Sequence, residues 1–237
     1  MLARRPRTSL TALRHRLLLP LMLRKGSLPA LLEKLEAEAR PGGVAGPRGE
    51  VVERLVGRMM RPLSFWRTTC LWRSLAGYSA LRAAGQEVRF VIGVRLDERG
   101  ELAAHAWLER DGRPSIGAPG PEDGFSVAFA WPADSATLTA PMERPQNAIR
   151  TSAEAILTEL KDGTGVVLHL GSKQYFTLNG SGVVAWKALA DGSAVTQEAL
   201  AELLHSRFPA AGADQIRADV SALLAELASE GLIELPT

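Results

Sequence analysis

The chain of 237 residues is 46% apolar and 23% charged, and it contains a single cysteine, Cys70. This apolar fraction excludes disorder over most of the length, and one cysteine excludes a disulfide-bonded scaffold. The longest apolar run, residues 17–23, contains Pro20 and is far shorter than the ~18 residues that a membrane span needs. Because no small-residue cleavage site follows that run, we expect a soluble, cytoplasmic protein.

The net charge of +2 conceals an opposite charge balance in the two ends of the chain. Residues 1–73 carry an excess of ten positive charges, whereas residues 154–237 carry an excess of six negative charges. Such a division predicts two units with different surfaces. Leucine, alanine and glutamate separate the basic residues, and few aromatic side chains accompany them. A solvated helical surface is therefore favoured over a surface that binds nucleic acid.

Helical patterns come first along the chain, and strand patterns follow. Apolar spacing predicts helices at residues 10–23, 27–39, 51–59 and 69–84. Strands are predicted at residues 88–94, 101–109, 113–116 and 126–130, with Asp111-Gly112 as a hairpin turn. Helices followed by antiparallel strands indicate an α+β domain, which we assign to residues 1–140. The proline-rich stretch after it predicts a linker at residues 141–153.

Residues 154–237 form the second predicted domain. Three short strands are predicted at residues 155–160, 166–170 and 174–178, followed by helices at 180–190, 196–208 and 213–230 and a strand at 232–235. This order predicts a small winged helix-turn-helix domain with a three-stranded sheet. Asp214, Asp219, Glu226 and Glu230 on the last helix would repel phosphates, so DNA binding is disfavoured.

Cys70 and His105 are the candidate catalytic residues. Cys70 lies at a predicted helix N-terminus, where backbone N–H groups and the helix dipole stabilise a thiolate and an oxyanion. His105 lies in a predicted strand and would act as the base if that strand packs against the start of the helix. A free cysteine is more often a small buried residue, and a histidine in an apolar strand more often a packing residue. No second ligand stands at metal spacing, so neither a metal nor another cofactor is expected.

Three segments around these residues resemble one enzyme family. Residues 70–75 (CLWRSL), 88–94 (VRFVIGV) and 105–109 (HAWLE) are similar to the transglutaminase-like leader peptidases of lasso-peptide biosynthesis. The resemblance covers about residues 61–116. It implies a papain/transglutaminase-like fold and a cysteine peptidase in which Cys70 is the nucleophile and His105 the general base.

The third member of the family's triad is missing at its usual place. The family has an aspartate on the strand after the histidine, but the residues opposite His105 across the hairpin are Gly117 and Ala118. Neither can orient an imidazole. The orienting group is therefore Asp123, Glu122 or none, because a Cys-His pair can also function without a carboxylate.

The second domain resembles a peptide-binding fold. Residues 161–163 (KDG), 174–179 (QYFTLN) and 185–189 (AWKAL), with the ending at 219–233, are similar to the RiPP recognition element, the fold of the pyrroloquinoline-quinone biosynthesis chaperone. The resemblance implies that a precursor's leader adds as a strand beside the last helix, by β-augmentation. The residues it assigns to peptide binding are Gln174, Tyr175, Phe176 and Thr177. Neighbouring strand residues face opposite sides, so at least one of the two aromatic residues belongs to the core.

Together the two resemblances predict a leader peptidase of lasso-peptide maturation. It would bind the precursor leader through the C-terminal domain and cleave it from the core peptide by Cys-His catalysis. The family also implies a partner, an asparagine-synthetase-like lasso cyclase. The alternative is a non-catalytic precursor-binding scaffold that delivers a peptide to another modifying enzyme, which the missing aspartate favours. A true transglutaminase of the same fold is a third possibility.

Overall fold

The computed structural model describes residues 26–39, 70–115, 120–132 and 148–236. The chain divides into two compact units, Met1–Thr137 and Leu138–Thr237. The helices predicted at residues 10–23 and 51–59, most of the predicted linker, and Gly117 and Ala118 lie outside the described residues.

Two helices of the first unit form where the apolar spacing predicts them. Helix α1 (Leu28–Glu38) begins after Ser27 with a proline in its first turn and buries four leucines at helical spacing: Leu28, Leu31, Leu32 and Leu35. Helix α2 (Cys70–Ala83) is buried on several sides, which explains why its apolar residues show no single stripe. It ends before Gly85, whose φ of 74° is the left-handed conformation that favours glycine after a helix.

Four antiparallel strands form the sheet of the first unit. They are β1 (Arg89–Leu96), β2 (Leu102–Arg110), β3 (Arg113–Pro114) and β4 (Ser126–Trp131), in the order β3-β2-β1-β4. The turn between β2 and β3 has positive φ at both central residues, 53° at Asp111 and 71° at Gly112. Positive φ at both positions is what a type I′ turn requires, so the predicted hairpin is confirmed.

The two faces of this sheet have different neighbours. Phe90 on β1 contacts Tyr78 of α2 edge-on, with ring centroids 6.5 Å apart. Because side chains alternate along a strand, the face of Phe90 is the face covered by α2. The opposite face carries a cluster of Val91, Trp107 and Phe125. Strand β1 makes room for this cluster with Gly93, since a Cβ atom there would come within 2.5 Å of the Trp107 ring.

The second unit combines a three-stranded sheet with helices and a two-stranded pair. In chain order its elements are β5 (Arg150–Thr151), β6 (Ala155–Glu159), β7 (Gly165–His169), β8 (Gln174–Leu178), α3 (Gly180–Asp191), α4 (Gln197–Arg207), α5 (Ala213–Ser229) and β9 (Ile233–Glu234). The sheet has the antiparallel order β6-β7-β8, and β5 pairs with β9. The α+β class and the three-stranded sheet are confirmed, whereas the winged-helix arrangement stays a prediction.

Helix ends in the second unit follow from capping residues in the sequence. The Asn179 side chain accepts a hydrogen bond from the Gly182 N–H at 2.8 Å, and Thr196 does the same for Ala199 at 3.2 Å. These caps set the starts of α3 and α4, and the helices then bury their apolar faces in one core. The core includes Val167, Trp186, Leu189, Leu200, Val220 and Leu224.

The predicted linker is shorter on its C-terminal side than the sequence indicates. Arg150 and Thr151 fall within the predicted 141–153 linker, yet they form β5 and pair with Glu234 and Ile233 of β9. Ile149 before them is buried in the core of the second unit. A strand of two residues is too short to show a period, which is why the sequence reasoning missed it. Among the described residues, no helix has the length and apolar content to cross a membrane.

Candidate functional site

Cys70 is the first residue of α2 in the described part of the chain, and its side chain is half-buried. The thiol therefore lies at the helix N-terminus, where the N–H groups of the first turn have no partner within the helix. This is the position that the sequence predicts for a nucleophile. Thr68 and Thr69, which precede it, lie outside the described residues.

A buried hydrogen bond joins the helix of Cys70 to the strand of His105. Ser74 is fully buried, and its hydroxyl donates to the carbonyl oxygen of Ala106 on β2 at 2.8 Å. Ser74 lies four residues after Cys70, so both are on the same side of α2, about 6 Å apart along its axis. Ala106 directly follows His105. The helix and the strand that carry the candidate residues are thus in contact.

The contact is made at the outer edge of β2. The carbonyl of Leu108 accepts from Ser115 at 2.7 Å and therefore points away from β1. Carbonyls two residues apart on a strand point the same way, so the Ala106 carbonyl also points away from β1, towards Ser74. Cys70 thus starts its helix within one turn of this strand edge.

His105 lies in the middle of β2, opposite Gly93 of β1, and is half-buried. Its ring stacks on Trp107, with the ring centroids 6.4 Å apart and the planes 14° apart. It also lies beside Phe125, with the ring centroids 5.8 Å apart. By alternation the side chain belongs to the sheet face of Trp107, opposite the face of Ala106. The structure brings the two elements together, while a direct contact between the Cys70 thiol and the His105 ring remains a prediction.

Asp123 and Glu122 lie in a short 3-10 helix, Pro121–Asp123, just before Phe125. One carboxylate oxygen of Asp123 accepts from the Gly120 N–H at 2.9 Å, and its backbone carbonyl accepts from the Arg95 guanidinium at 2.7 Å. That guanidinium also lies over the Phe125 ring, 4.7 Å from its centre. The described contacts thus assign the Asp123 carboxylate to its own turn, and the orienting residue of His105 stays open between Asp123, Glu122 and none.

Strand β8 lies at the edge of the second unit's sheet. It pairs with β7 on one side, and no described strand pairs with its other side. The four residues of β8 that the sequence assigns to peptide binding are therefore on an edge strand, whose outer N–H and C=O groups can accept a further strand. Phe176 packs against the core, whereas Gln174 and Thr177 are exposed.

A groove of about 830 Å³ runs between the end of β8 and α5. Phe176 and Thr177 line it, whereas Gln174 and Tyr175 are not among its lining residues. Helix α5 contributes Leu223 and other residues along most of its length. The structure thus joins two of the four predicted peptide-binding residues to the predicted helix in one groove.

Sequence reasoning missed the residues at one end of this groove. Leu204 of α4 and Phe208, directly after that helix, line the groove together with Ala211. Phe208 is 37% exposed although it is a large apolar residue. The available signal was a large aromatic residue at the end of the helix predicted at 196–208. Within the described ranges, no group of three or more Cys, His, Asp or Glu side chains could hold a metal ion.

Comparison with known proteins finds one family model that matches a part of each unit. A family model described as "Transglutaminase-like superfamily" matches residues 15–130. A second model, described as "Coenzyme PQQ synthesis protein D (PqqD)", matches residues 164–233. These matches coincide with the two resemblances inferred from the sequence motifs.

One solved structure is also similar to part of the chain. It is described as "TbiB1 in Complex with the TbiA(beta) Leader Peptide", with 24% sequence identity and a TM-score of 0.33. The match covers 36% of this chain and 94% of that chain. A search of the curated proteins found no match.

Proposed function

This chain carries a transglutaminase-like domain followed by a PqqD domain, the RiPP recognition element, and from that pairing we propose that it is the leader peptidase of a lasso-peptide pathway. The PqqD domain would hold the leader of a ribosomal precursor, and the transglutaminase-like domain would cleave the leader from the core peptide. We assign cleavage to residues 1–140 and capture to residues 154–237, the latter extended at its start by β5. The reaction is assigned to the cytoplasm, where reducing conditions keep the Cys70 thiol free.

Capture follows from the open edge of β8 and the groove beside it. The leader would add as a strand to β8, so that backbone hydrogen bonds provide affinity for any extended sequence. Alternate leader side chains would enter the groove between Phe176 and Leu223, and these contacts would fix the register. Gln174 and Tyr175 would contact the part of the leader that extends beyond the groove.

Cleavage would proceed through an acyl-enzyme. The Cys70 thiol transfers its proton to His105 and attacks the carbonyl carbon of the scissile peptide bond. N–H groups at the start of α2 stabilise the anionic oxygen of the tetrahedral intermediate. The C–N bond then breaks, His105 returns the proton to the leaving amine of the core peptide, and water hydrolyses the thioester. The freed amine would be the substrate of an asparagine-synthetase-like cyclase.

The observation that carries the catalytic part is the hydrogen bond from Ser74 to Ala106, because it fixes the helix of Cys70 on the strand of His105. Its test is Cys70→Ala in the full chain, with a candidate lasso precursor peptide, leader joined to core, as substrate. We expect cleavage to be lost in mass spectra, while calorimetry gives an unchanged leader affinity, because the groove lies in the other unit.

His105→Ala should lose cleavage to the same extent as Cys70→Ala, since residues that act as one unit are not additive. The matched control is His205→Ala, which removes an exposed histidine from α4 and should cleave like the wild type. Undiminished cleavage by Cys70→Ala would exclude the thiol as the nucleophile. A wild type that binds the precursor but releases no leader would support the scaffold function instead.

A further inference from the structure

The groove in the second unit carries charges of one sign. Asp219 and Glu226 of α5 and Glu230, directly after that helix, are exposed and line the groove. No lysine, arginine or histidine is among its lining residues. The rest of the helix contribution is apolar, for example Leu223 and Leu227. An acidic rim above an apolar floor is complementary to a peptide whose side chains alternate between basic and apolar.

We infer that this groove selects an extended leader segment in which two basic residues, two positions apart, face Glu226 and Glu230. The inference rests on the proposed function, because it specifies the peptide for the same groove. It adds the chemical character of the leader, which neither the open strand edge nor the apolar floor determines.

The length of the groove determines how many leader residues it holds. Its lining on this side extends from Ile216 of α5 to Glu230, directly after the helix, which corresponds to about 21 Å at 1.5 Å per helical residue. An extended peptide rises about 3.3 Å per residue, so about six residues fill this length. The groove therefore recognises a short segment of the leader rather than the whole leader.

The spacing of the carboxylates matches the period of a strand. Glu226 lies in the last turn of α5 and Glu230 directly follows the helix, about 6 Å further along its axis. Side chains at i and i+2 of an extended peptide lie on the same side, about 6.6 Å apart. Each of two basic residues separated by one residue can thus reach its own carboxylate. The residue between them points towards the apolar floor.

The opposite end of the groove is mostly apolar, with Asp219 as its one carboxylate. Phe208, Leu204 and Ile216 line it there, about 15 Å along α5 from Glu226. This distance corresponds to about four or five residues of an extended peptide. We therefore expect a large apolar residue on the leader at that separation from the basic pair, in contact with the partly exposed ring of Phe208.

The test uses the full chain and three synthetic peptides of about eight residues, enough to span the groove. The peptides are fluorescently labelled and identical except at two positions, which are both Lys, both Gln or both Glu. Each peptide has a leucine about four or five residues from the pair of varied positions, and its other residues are Val and Thr. Binding is measured by fluorescence anisotropy at low salt and at high salt.

We expect the Lys peptide to bind the wild type about tenfold more tightly than the Gln peptide, and the Glu peptide to bind most weakly. High salt should remove most of this preference, because the Debye length falls to about 3 Å in 1 M salt and exposed charges further apart are screened. The double variant Glu226→Gln/Glu230→Gln should lose most of this preference, with Asp219 as the remaining carboxylate of the groove. The variant Glu226→Lys/Glu230→Lys should prefer the Glu peptide. Glu198→Gln/Glu202→Gln on α4 has the same spacing outside the groove and should keep the wild-type order.

Phe208→Ala tests whether the peptides bind in the groove, independently of their charges. The Phe208 side chain is partly exposed, so its truncation leaves the core intact. The substitution should lower the affinity for all three peptides by the same factor. Equal affinities of the wild type for the three peptides, all weakened by Phe208→Ala, would overturn the basic preference and leave the capture groove standing. Absence of binding by all three would overturn both the preference and the groove, and binding that Phe208→Ala leaves unchanged would overturn the apolar contact at Phe208.

Discussion

Ser74 shows how one buried hydroxyl can align a helix with a strand edge. The Ala106 carbonyl points outward from the edge of β2, where water would otherwise bind it, and α2 covers it there. A buried carbonyl without a donor costs free energy, so the hydroxyl of Ser74 is required rather than optional. It also fixes how α2 is rotated against β2, and with it the direction in which Cys70 faces.

Ser74→Ala is expected to lower the free energy of unfolding by about 1–3 kcal/mol, because the Ala106 carbonyl stays buried without its donor. Urea unfolding followed by circular dichroism measures this change. The control is Ser206→Ala, whose hydroxyl is exposed and bonds within its own helix, and we expect a change below about 0.5 kcal/mol. Equal effects of the two substitutions would contradict the assigned role.

Tyr78 makes the stability of the first unit sensitive to alkaline pH. Burial, and secondarily the nearby Glu36 carboxylate, raise the pKa of Tyr78 to about 12. The folded state then keeps a proton that the unfolded state releases above its pKa of 10.0. The stabilisation is therefore complete below pH 10 and is lost as the pH rises through the folded pKa.

Tyr78→Phe removes this titration and leaves the other alkaline groups in place. We expect the free energy of unfolding of the wild type, relative to that of Tyr78→Phe, to fall by up to about 1.4 kcal/mol per pH unit above pH 10. Between about pH 8 and pH 9 the difference between the two proteins should stay constant. Urea unfolding of both proteins over this range gives the difference directly. A difference that does not change with pH would contradict the raised pKa.

Glu36 connects three elements of the first unit. Its carboxylate accepts from Arg82 of α2 at 2.6 Å and from the Trp131 indole of β4 at 3.3 Å. The ion pair with Arg82 is only partly exposed, so water screens it less than a surface pair. Glu36 thus holds α1 against both α2 and the edge of the sheet.

Glu36→Gln is expected to lower the free energy of unfolding by about 1–2 kcal/mol, because the amide keeps the shape but loses the charge that Arg82 faces. Thermal and urea unfolding check this value. Glu33→Gln, one turn earlier on the exposed side of α1, is the control and should change stability by less than about 0.5 kcal/mol. A larger effect at Glu33 would show that general charge, not this contact, matters.

Elements with a regular apolar pattern or a clear capping residue were predictable from the sequence to within about two residues. The strand Gln174–Leu178 and the helix from Gly180 are examples, because alternation and the Asn179 cap are both local signals. Contacts between distant segments were not predictable. Neither the role of Ser74 nor the β5–β9 pairing leaves a local signal, since each depends on a partner far away along the chain.

The candidate site was predictable to the same extent. Cys70 and His105 follow from residue type and element, and the structure confirms the elements. The local backbone could not indicate which sheet face His105 occupies relative to α2, because a strand pattern fixes alternation but not which face a helix covers. The groove beside β8 was predicted, whereas Phe208 at its end was missed.

At the scale of the whole molecule, the second unit is expected to fold by itself. Residues 148–237 contain β5, the three-stranded sheet, the helices and β9, and Ile149 is buried in their common core. We expect this fragment to unfold cooperatively and to bind the precursor leader in calorimetry with the affinity of the full chain. Leader binding by residues 1–147 alone would reverse the assignment of capture.

The fragment 152–237 is the matched control, because it lacks only Ile149, β5 and Ala148. Loss of the buried isoleucine should lower its free energy of unfolding by about 1.5–3 kcal/mol relative to the longer fragment. Equal stability of the two fragments would show that β5 contributes nothing to the fold.

The pairing of β5 with β9 places the entry and the exit of the second unit side by side, with Thr151 opposite Ile233. A unit whose two ends adjoin can be joined to another protein through either end without disturbing its interior. It can equally be opened elsewhere and closed across these ends by a short added loop, as a circular permutant. Gene fusion could therefore exchange such a unit between enzymes as an interchangeable module, and its place after the transglutaminase-like domain demands no change in its fold.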